Sequence, residues 1–369
     1  MRFLAIVIGL IIVMPVFGQR KKKDEDVVVV PTYVEGVVYA LPQTALRVYV
    51  KATKEVFEPG PYAGYAEQLL GINNVKTKAE TKWTITEVRI TSFAEPDPTQ
   101  IFKATGDVAY KISLTSDGRI SGMNLPNSTE QPVVLKTNKL IELADEPDDF
   151  SFDYFTDTPF YTPGDSTNGF QPVRVSTDQK AAEAAKRVLD CRVTRYDMVA
   201  GMMDEFHPDG EAYKVSLEEL KQIEKNYLSL FVGHTTRKND IFTFNFIPTK
   251  PTENGEVVFR ISDEGGVVPA DDLSGKPVMI EFEVEKAMMD KYTELAKSEN
   301  PNAGENGLYY RMPAITTIRI VNELNTVSTA RLPIAQFGVV APLPEKIVNG
   351  GYMVKYNTET GAIKSVYKR

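Results

Sequence analysis

The sequence predicts a mainly β fold of the α+β class: two sandwich-like antiparallel β modules with a long helical hairpin inserted between them. Three observations lead to this prediction. Alternating apolar residues, typical of half-buried strands, fill much of residues 27–140 and recur over 233–369. Between them, residues 176–232 carry apolar side chains at helical spacing. Residues 141–175 are acidic, aromatic and rich in proline, which favours a long irregular connection.

The chain begins with the features of a secretory signal. Arg2 precedes an apolar run, residues 3–17, of about 15 residues, which is shorter than the roughly 20 that a membrane-spanning helix needs. We therefore expect residues 1–18 to be a cleaved signal peptide, with an uncleaved N-terminal anchor as the alternative. Residues 19–26 carry positive and then negative charges and predict a solvated leader. The mature chain is expected to be exported, periplasmic or outer-membrane-associated, without a transmembrane span.

The first module opens with strands and a short helix. Residues 27–30 and 37–50 are rich in Val and Tyr, and Pro42 indicates a strand start or an edge position. A Gly-Pro pair at 60–61 then opens a short helical stretch that Gly71 ends.

The next apolar pattern changes phase within one strand. The alternation over residues 83–90 shifts by one, which predicts a β-bulge around residues 86–87. Residues 108–114 alternate and predict another strand. A Ser-Asp-Gly turn at 116–118 makes this strand a hairpin partner of residues 119–123.

The connection is the only candidate for a calcium site. Residues 145–157 interleave carboxylates with aromatic side chains, but they lack the order of acidic positions and central glycine of an EF-hand. A solvated acidic loop is the alternative, with its aromatic residues pinning the connection to the body of the fold.

Two helices form the predicted hairpin. Ser176 or Thr177 can cap a helix that runs to about Ala200. Its apolar face is expected at five positions, with Arg and Lys on the opposite face: Ala185, Leu189, Val193, Tyr196 and Met203. A second helix is expected from about Asp209 to Phe231, ended by Gly233. Its apolar positions are Tyr213, Leu217, Leu220, Ile223, Tyr227 and Phe231.

The second module repeats features of the first. Strands are predicted around residues 242–246, 257–261 and 278–284, followed by a short helix at 286–297 and final strands. A Tyr-x-x-Pro segment followed by Thr-x-x-Arg occurs near Tyr39 and again, with one extra residue, near Tyr310. Each copy precedes a strand–turn–strand pattern, so either a duplicated module or chance similarity between strands explains the match.

These blocks, in this order, resemble the domain-of-unknown-function 4831 family, secreted proteins of Bacteroides-type Gram-negative bacteria. The similar stretches are GVVYALPQTALRVYV at 36–50, GPYAGYAEQLLGI at 60–72, LTSDGRISGMN at 114–124, EAAKRVLDCR at 183–192, DGEAYKVSLEELKQIEKNYLSLFVGHT at 209–235 and LYYRMP at 308–313. The resemblance covers nearly all of the mature chain. It implies an exported envelope protein and brings no activity, cofactor or catalytic residue with it.

The composition excludes several classes of function. A formal net charge of −8 at pH 7 argues against nucleic-acid binding, which favours a basic face. His207, His234 and Cys191 are the only imidazoles and thiol, too few for a zinc finger or a disulfide framework. No Gly-x-Ser-x-Gly elbow is present, and a Cys–His pair is less expected than a buried structural cysteine. We therefore expect no catalytic residues, no cofactor and no metal.

The leading hypothesis is a non-catalytic cell-envelope protein that acts through surface contacts with an unidentified protein or envelope partner. Five aromatic residues are the candidate contact residues: Tyr62, Tyr65, Phe152, Tyr154 and Phe155. The alternative is a glycan-binding or carbohydrate-active protein that uses carboxylates and the aromatic loop at 150–161.

Overall fold

The computed structural model describes residues 36–126, 150–156, 161–162, 171–172, 175–203, 210–251, 255–297 and 307–368. The predicted signal peptide, the charged leader and the strand at 27–30 lie outside the described residues. So do His207 and residues 145–149 and 157 of the stretch put forward for calcium.

Strands dominate the described part of the chain, so the predicted mainly β class is confirmed. The strands are β1 (Val37–Glu58), β2 (Glu80–Ala104), β3 (Ile112–Leu114), β4 (Ile120–Met123), β5 (Tyr161–Thr162), β6 (Gln171–Pro172), β7 (His234–Phe246), β8 (Glu256–Ser262), β9 (Gly266–Pro269), β10 (Lys276–Val284), β11 (Tyr309–Asn322), β12 (Asn325–Pro342), β13 (Tyr352–Tyr356) and β14 (Ile363–Lys368). The helices are α1 (Ala66–Leu70), α2 (Phe152–Thr156), α3 (Thr177–Ala200), α4 (Gly210–Val232), α5 (Lys286–Ala296) and α6 (Glu345–Asn349).

The strands form antiparallel sheets that mix the two ends of the chain. Their orders are β2-β1-β7, β12-β11-β10-β8-β9 and β14-β13-β4-β3, with β5-β6 as a two-stranded ribbon. Strand β1 pairs with β7, and β4 pairs with β13. Two sheets therefore combine strands from the predicted N-terminal and C-terminal modules, and the boundaries of those modules stay a prediction.

The largest core lies between the β1 sheet and the five-stranded sheet. Alternate residues of β1, among them Leu46, Val48 and Val50, are fully buried and belong to the same cluster as Phe259 of β8 and Ile318 of β11. Burying side chains of this size contributes about 1.5–3 kcal/mol each, so the period-two pattern of β1 sets which of its faces turns inward.

The phase change in β2 is a β-bulge, as predicted. Lys51 pairs with Glu87 and Ala52 pairs with Ile85, which leaves Thr86 without an opposite residue in the ladder. The Thr86 hydroxyl lies 2.8 Å from that of Thr53.

The strand predicted at 108–114 is wrong over its first half. Residues Gly106–Val108 form a 3-10 turn, and only Ile112–Leu114 pair with β4. Val108 is buried in the core around β4 and β13, while Tyr110 is 88% exposed. Gly106 has a φ of +62°, which a turn accepts and a strand does not. The alternation of apolar residues therefore reflects a turn that buries Val108 and leaves Tyr110 outside, not a strand.

The two similar sequence blocks occupy equivalent places. Strands β1 and β11 are both interior strands with a register shift at the Tyr-x-x-Pro segment. The Ala40 amide donates to the Gly118 carbonyl at 3.0 Å, and the Arg311 amide donates to the Gly361 carbonyl at 2.9 Å. Gly118 and Gly361 lie in the corresponding strand–turn–strand segments, so these matching contacts favour a duplicated unit.

Helices α3 and α4 form the predicted hairpin. Ser176 caps α3 in a full capping box with Gln179, Gly201 ends it with a φ of +68°, and Gly233 follows α4 with a φ of +88°. Glu224 of α4 accepts hydrogen bonds from Arg192 and Arg195 of α3.

The predicted apolar face of α3 is confirmed at Ala185 and wrong at its other four positions. The residues that α3 buries are small or β-branched: Ala181, Ala184, Ala185, Val188 and Cys191. Leu189, Val193 and Tyr196 are exposed instead, and Met203 lies beyond the end of the helix. The physical reason is that the closest packing against α4 and α1 selects small side chains, while Arg192 and Arg195 turn inward to meet Glu224.

Candidate functional site

The structure brings all five candidate contact residues to the base of the helical hairpin. Tyr62, Tyr65, Phe152 and Phe155 belong to one apolar cluster with the N-terminal half of α3 and the end of α4. Tyr154 joins through an edge contact with Phe155, with ring centroids 5.1 Å apart. We call this group the hairpin-base cluster; two segments about 90 residues apart in the sequence meet there.

A close backbone approach positions Tyr62. A Cβ on Gly60 would lie 2.3 Å from the Leu230 carbonyl oxygen, so only glycine fits against the end of α4 here. The Tyr62 amide then donates to the same carbonyl at 2.8 Å, and the Tyr62 ring packs on Phe231 at 5.8 Å. Tyr62 is 4% exposed, so most of its surface faces protein rather than a partner.

Tyr65 ties the short helix to the start of α3. Its hydroxyl donates to the carboxylate of Asp178 in the first turn of α3. This hydrogen bond raises the pKa of Tyr65 above its ordinary value. Tyr65 therefore anchors α1 to the hairpin.

The aromatic segment docks on the other side of the hairpin base. Phe155 meets Tyr227 of α4 edge-on at 5.2 Å, and Phe150 stacks on His234 at 4.3 Å. The Lys180 ammonium donates to the carbonyl of Thr156 at 2.8 Å, at the end of α2. Through these contacts, residues 150–156 of the connection pack against α3, α4 and the start of β7.

Between these elements lies a cleft of about 100 Å³, here called the base cleft. It is lined by Tyr62, Phe155, Lys180, Glu183, Ala184, Arg187 and Tyr227. Two of these seven residues are sequence-predicted contact residues, and the others come from α3 and α4. The base cleft thus combines aromatic walls with two cations and one carboxylate.

Several polar groups of the base cleft have no hydrogen bond within the described part of the chain. The hydroxyls of Tyr62 and Tyr227 are two of them, and burial raises the pKa of Tyr62. Of the described residues, Arg187 pairs only with Glu183, with the nitrogen and oxygen 4.0 Å apart. Hydrogen-bonding groups therefore converge on a small aromatic cleft with most of their capacity unused.

Sequence reasoning missed the α3 and α4 residues of this cleft. Lys180, Ala184 and Arg187 are spaced four and three residues apart, which places them on one face of α3. That spacing was visible in the sequence, but nothing indicated that the segment at 150–156 would pack over it.

A second feature is an apolar stripe on the outside of α3, here called the outer seam: Leu189, Val193, Tyr196 and Ala200. The four residues alternate in spacing between four and three, as in a coiled coil. Val193 is 59% and Tyr196 64% exposed. Asp190 and Asp197 lie along one side of the seam, because they follow Leu189 and Tyr196 by one residue each.

The environment of Cys191, the candidate thiol, disfavours its ionised form. Cys191 is buried on the side of α3 that packs on α4. Burial and the nearby carboxylates of Glu224 and Asp190 raise the pKa of the thiol. His234, the one described imidazole, stacks on Phe150 at the far end of α4. A raised pKa disfavours the thiolate that a cysteine nucleophile requires.

A metal centre and a membrane-spanning helix are both absent from the described residues. Among them, no group of three or more His, Cys, Asp or Glu side chains is arranged to hold a metal ion. No described helix combines the length and apolar character that crossing a bilayer requires.

Comparison with known proteins identifies the family. The family model described as "Domain of unknown function (DUF4831)" matches residues 35–364, nearly the whole chain, so the chain belongs to this family. No curated protein and no solved structure matches this chain.

Proposed function

We propose that this DUF4831 protein is an exported, non-catalytic cell-envelope protein that binds a partner protein through the outer seam of its helical hairpin. The observation that carries the proposal is the exposure of Leu189, Val193 and Tyr196 on a helix that buries a different face. An amphipathic helix normally turns such a stripe toward protein. Because these three side chains are 46–64% exposed, covering them would contribute roughly half of the 1.5–3 kcal/mol that complete burial of an apolar side chain gives.

The charges beside the outer seam favour one kind of partner. Asp190 and Asp197 place two carboxylates along its edge, so an amphipathic helix with Lys or Arg beside its own apolar stripe complements it. In an antiparallel pair of two copies of α3, the Asp190 and Asp197 edges would face each other and repel. We therefore propose a basic amphipathic helix of a different protein as the occupant.

Site-specific crosslinking in envelope fractions tests this proposal. A benzophenone side chain introduced at Val193 should crosslink a partner, and one introduced at exposed Tyr110 should not. The sequence of the crosslinked peptide should have the pattern of an amphipathic helix, with an apolar stripe and Lys or Arg beside it. Reversing the acidic edge with Asp190→Lys and Asp197→Lys should reduce the crosslink yield.

Three outcomes would contradict the proposal. The first is crosslinking between two copies of this chain, and the second is a partner segment without basic flanks. The third is equal crosslinking from Val193 and Tyr110, which would mean that the outer seam is not a preferred contact.

Export is supported by the sequence alone, through the apolar run after Arg2. The test is cell fractionation with N-terminal sequencing of the mature protein. A first residue of Gln19 in the periplasmic or outer-membrane fraction is expected. A full-length chain in the cytosol would contradict it.

Glycan binding is the second candidate function. The observation that favours it is that Phe155 of the aromatic segment and the carboxylate of Glu183 line the same cleft. An array of immobilised glycans probed with the full chain should give binding that Phe155→Ala abolishes and Tyr110→Ala leaves unchanged. A chain that binds no glycan would contradict this candidate.

A further inference from the structure

We infer that the base cleft binds a sugar residue that carries a carboxylate, an inference that rests on the second candidate function. The cleft offers one group for each part of such a ligand: cations for its carboxylate, hydroxyls and a carboxylate for its hydroxyls, and aromatic walls for its ring.

The cations select an acidic ligand. Among the described residues, Arg187 has a single ion pair, with Glu183 at 4.0 Å, and its side chain is 59% exposed, so its donors point to solvent at the rim. Lys180 uses one donor on the Thr156 carbonyl and keeps two from other described residues. Guanidinium and ammonium groups at the rim of a small cleft are suited to a carboxylate, which Arg can bind through two parallel hydrogen bonds.

The hydroxyls and Glu183 select a ligand rich in hydroxyl groups. Glu183 is a hydrogen-bond acceptor when ionised, so it can accept from a ligand that donates. Tyr62 and Tyr227 can each donate and accept, and neither hydroxyl has a partner among the described residues. A sugar supplies donors and acceptors together, whereas an aromatic carboxylate offers nothing to Glu183.

The Tyr62 hydroxyl is one of the groups that could hydrogen-bond a ligand in the cleft. The residue is 4% exposed, so its ring is held in place, and its hydroxyl makes no hydrogen bond within the described part of the chain. A hydroxyl on a fixed ring at the wall of a cleft is placed to exchange water for a ligand.

The walls fit one side of a sugar ring. Phe155 and Tyr227 meet edge-on at 5.2 Å and present apolar surface against which the C–H groups of a sugar ring can pack. A cleft of about 100 Å³ takes up part of one ring and leaves the rest of the ligand in solvent, since a cavity of about 150 Å³ is needed to enclose even benzene.

Titration of the full chain with single sugars tests the inference. The acidic probes are glucuronate and galacturonate, the neutral probe is glucose, and benzoate serves as an aromatic carboxylate. Binding of each is measured by calorimetry and saturation-transfer NMR. At least one acidic sugar should bind with a Kd of about 10 mM or below, and glucose at least about tenfold more weakly.

Matched variants assign the binding to the cleft. Arg187→Ala should weaken binding of the acidic sugar at least about tenfold, and Lys186→Ala, which removes the same charge one residue away, should leave it unchanged. Tyr62→Phe should weaken binding about two- to tenfold while preserving the ring that packs on Phe231.

The failures are distinguishable. Equal binding of glucose and glucuronate would overturn the acidic specificity and leave glycan binding standing. Binding of no sugar would overturn both. Tighter binding of benzoate than of either acidic sugar, or binding that Arg187→Ala and Tyr62→Phe do not change, would overturn the inference and remove the support that the cleft gives to glycan binding.

Discussion

Arg311 and Asp97 form an ion pair that is nearly shut off from water. Arg311 Nη2 donates to Asp97 Oδ2 at 2.9 Å, and Nη1 donates to the Pro42 carbonyl at 2.6 Å. Both side chains are no more than 4% exposed. The pair thus links β11 to the bulged segment of β1 and to β2, and it holds together strands from opposite ends of the chain.

Removing one member of this pair should be costly. Arg311→Met would leave Asp97 as an uncompensated buried charge, so the free energy of unfolding should fall by about 3–5 kcal/mol in urea denaturation. Arg319→Met breaks exposed ion pairs with Glu281 and Glu283 and should cost less than about 1 kcal/mol. A loss of similar size in both variants would contradict this role of burial.

Acid should destabilise the fold through Asp97 and Glu224. Burial alone would raise both pKa values, but hydrogen bonds from Thr99 and Arg311 to Asp97, and from Arg192 and Arg195 to Glu224, lower them below their ordinary values. Each carboxyl therefore contributes stability above its unfolded pKa of about 4, and this stability is lost as the pH falls through the folded pKa. Urea unfolding from pH 7 to pH 3 should show the decrease, with a smaller decrease in Asp97→Asn. An equal or larger decrease in that variant would contradict the assignment to Asp97.

At the scale of the element, α3 shows how a helix can carry two apolar faces. The face that packs on α4 and α1 uses alanines and Val188, and the larger residues of the outer seam remain outside. Hydrophobic periodicity identifies the helix correctly. It does not say which face is buried, because the larger side chains suggest the wrong one.

A matched pair of substitutions distinguishes the two faces. Val188 is 0% exposed, so Val188→Glu should lower the free energy of unfolding by at least about 3 kcal/mol by burying an unpaired charge. Val193→Glu places the same side chain in solvent and should change stability by no more than about 0.5 kcal/mol. Thermal and urea denaturation measure both. A large loss from Val193→Glu would show that the outer seam is covered within the molecule.

At the scale of the whole molecule, the chain is held together by sheets that exchange strands. Strand β1 lies between β2 and β7, and β4 pairs with β13, so two sheets need strands from both ends of the chain, while β8 to β12 form a sheet among themselves. The matching contacts of Ala40 with Gly118 and of Arg311 with Gly361 suggest that two related units wrap around each other.

This exchange of strands predicts cooperative unfolding. Trp83, the single tryptophan, reports on the large core through its packing against Phe242. The slowest amide protons of β13 report on the core around β4 and β13, the second core of the molecule. The free energy of unfolding from Trp83 fluorescence and from β13 hydrogen exchange should agree. Markedly weaker protection in β13 would show instead that the second core opens independently.

The sequence by itself determined the class of fold, the positions of most strands, the bulge at Thr86 and both helices of the hairpin, because these depend on local periodicity and capping. The meeting of Tyr62 with Phe155, the inward turn of Arg192 and Arg195, and the pairing of β1 with β7 were decided only by the tertiary structure. These contacts join residues far apart in the chain. Their energies depend on packing and burial in three dimensions, which the one-dimensional pattern of apolar and polar residues does not contain.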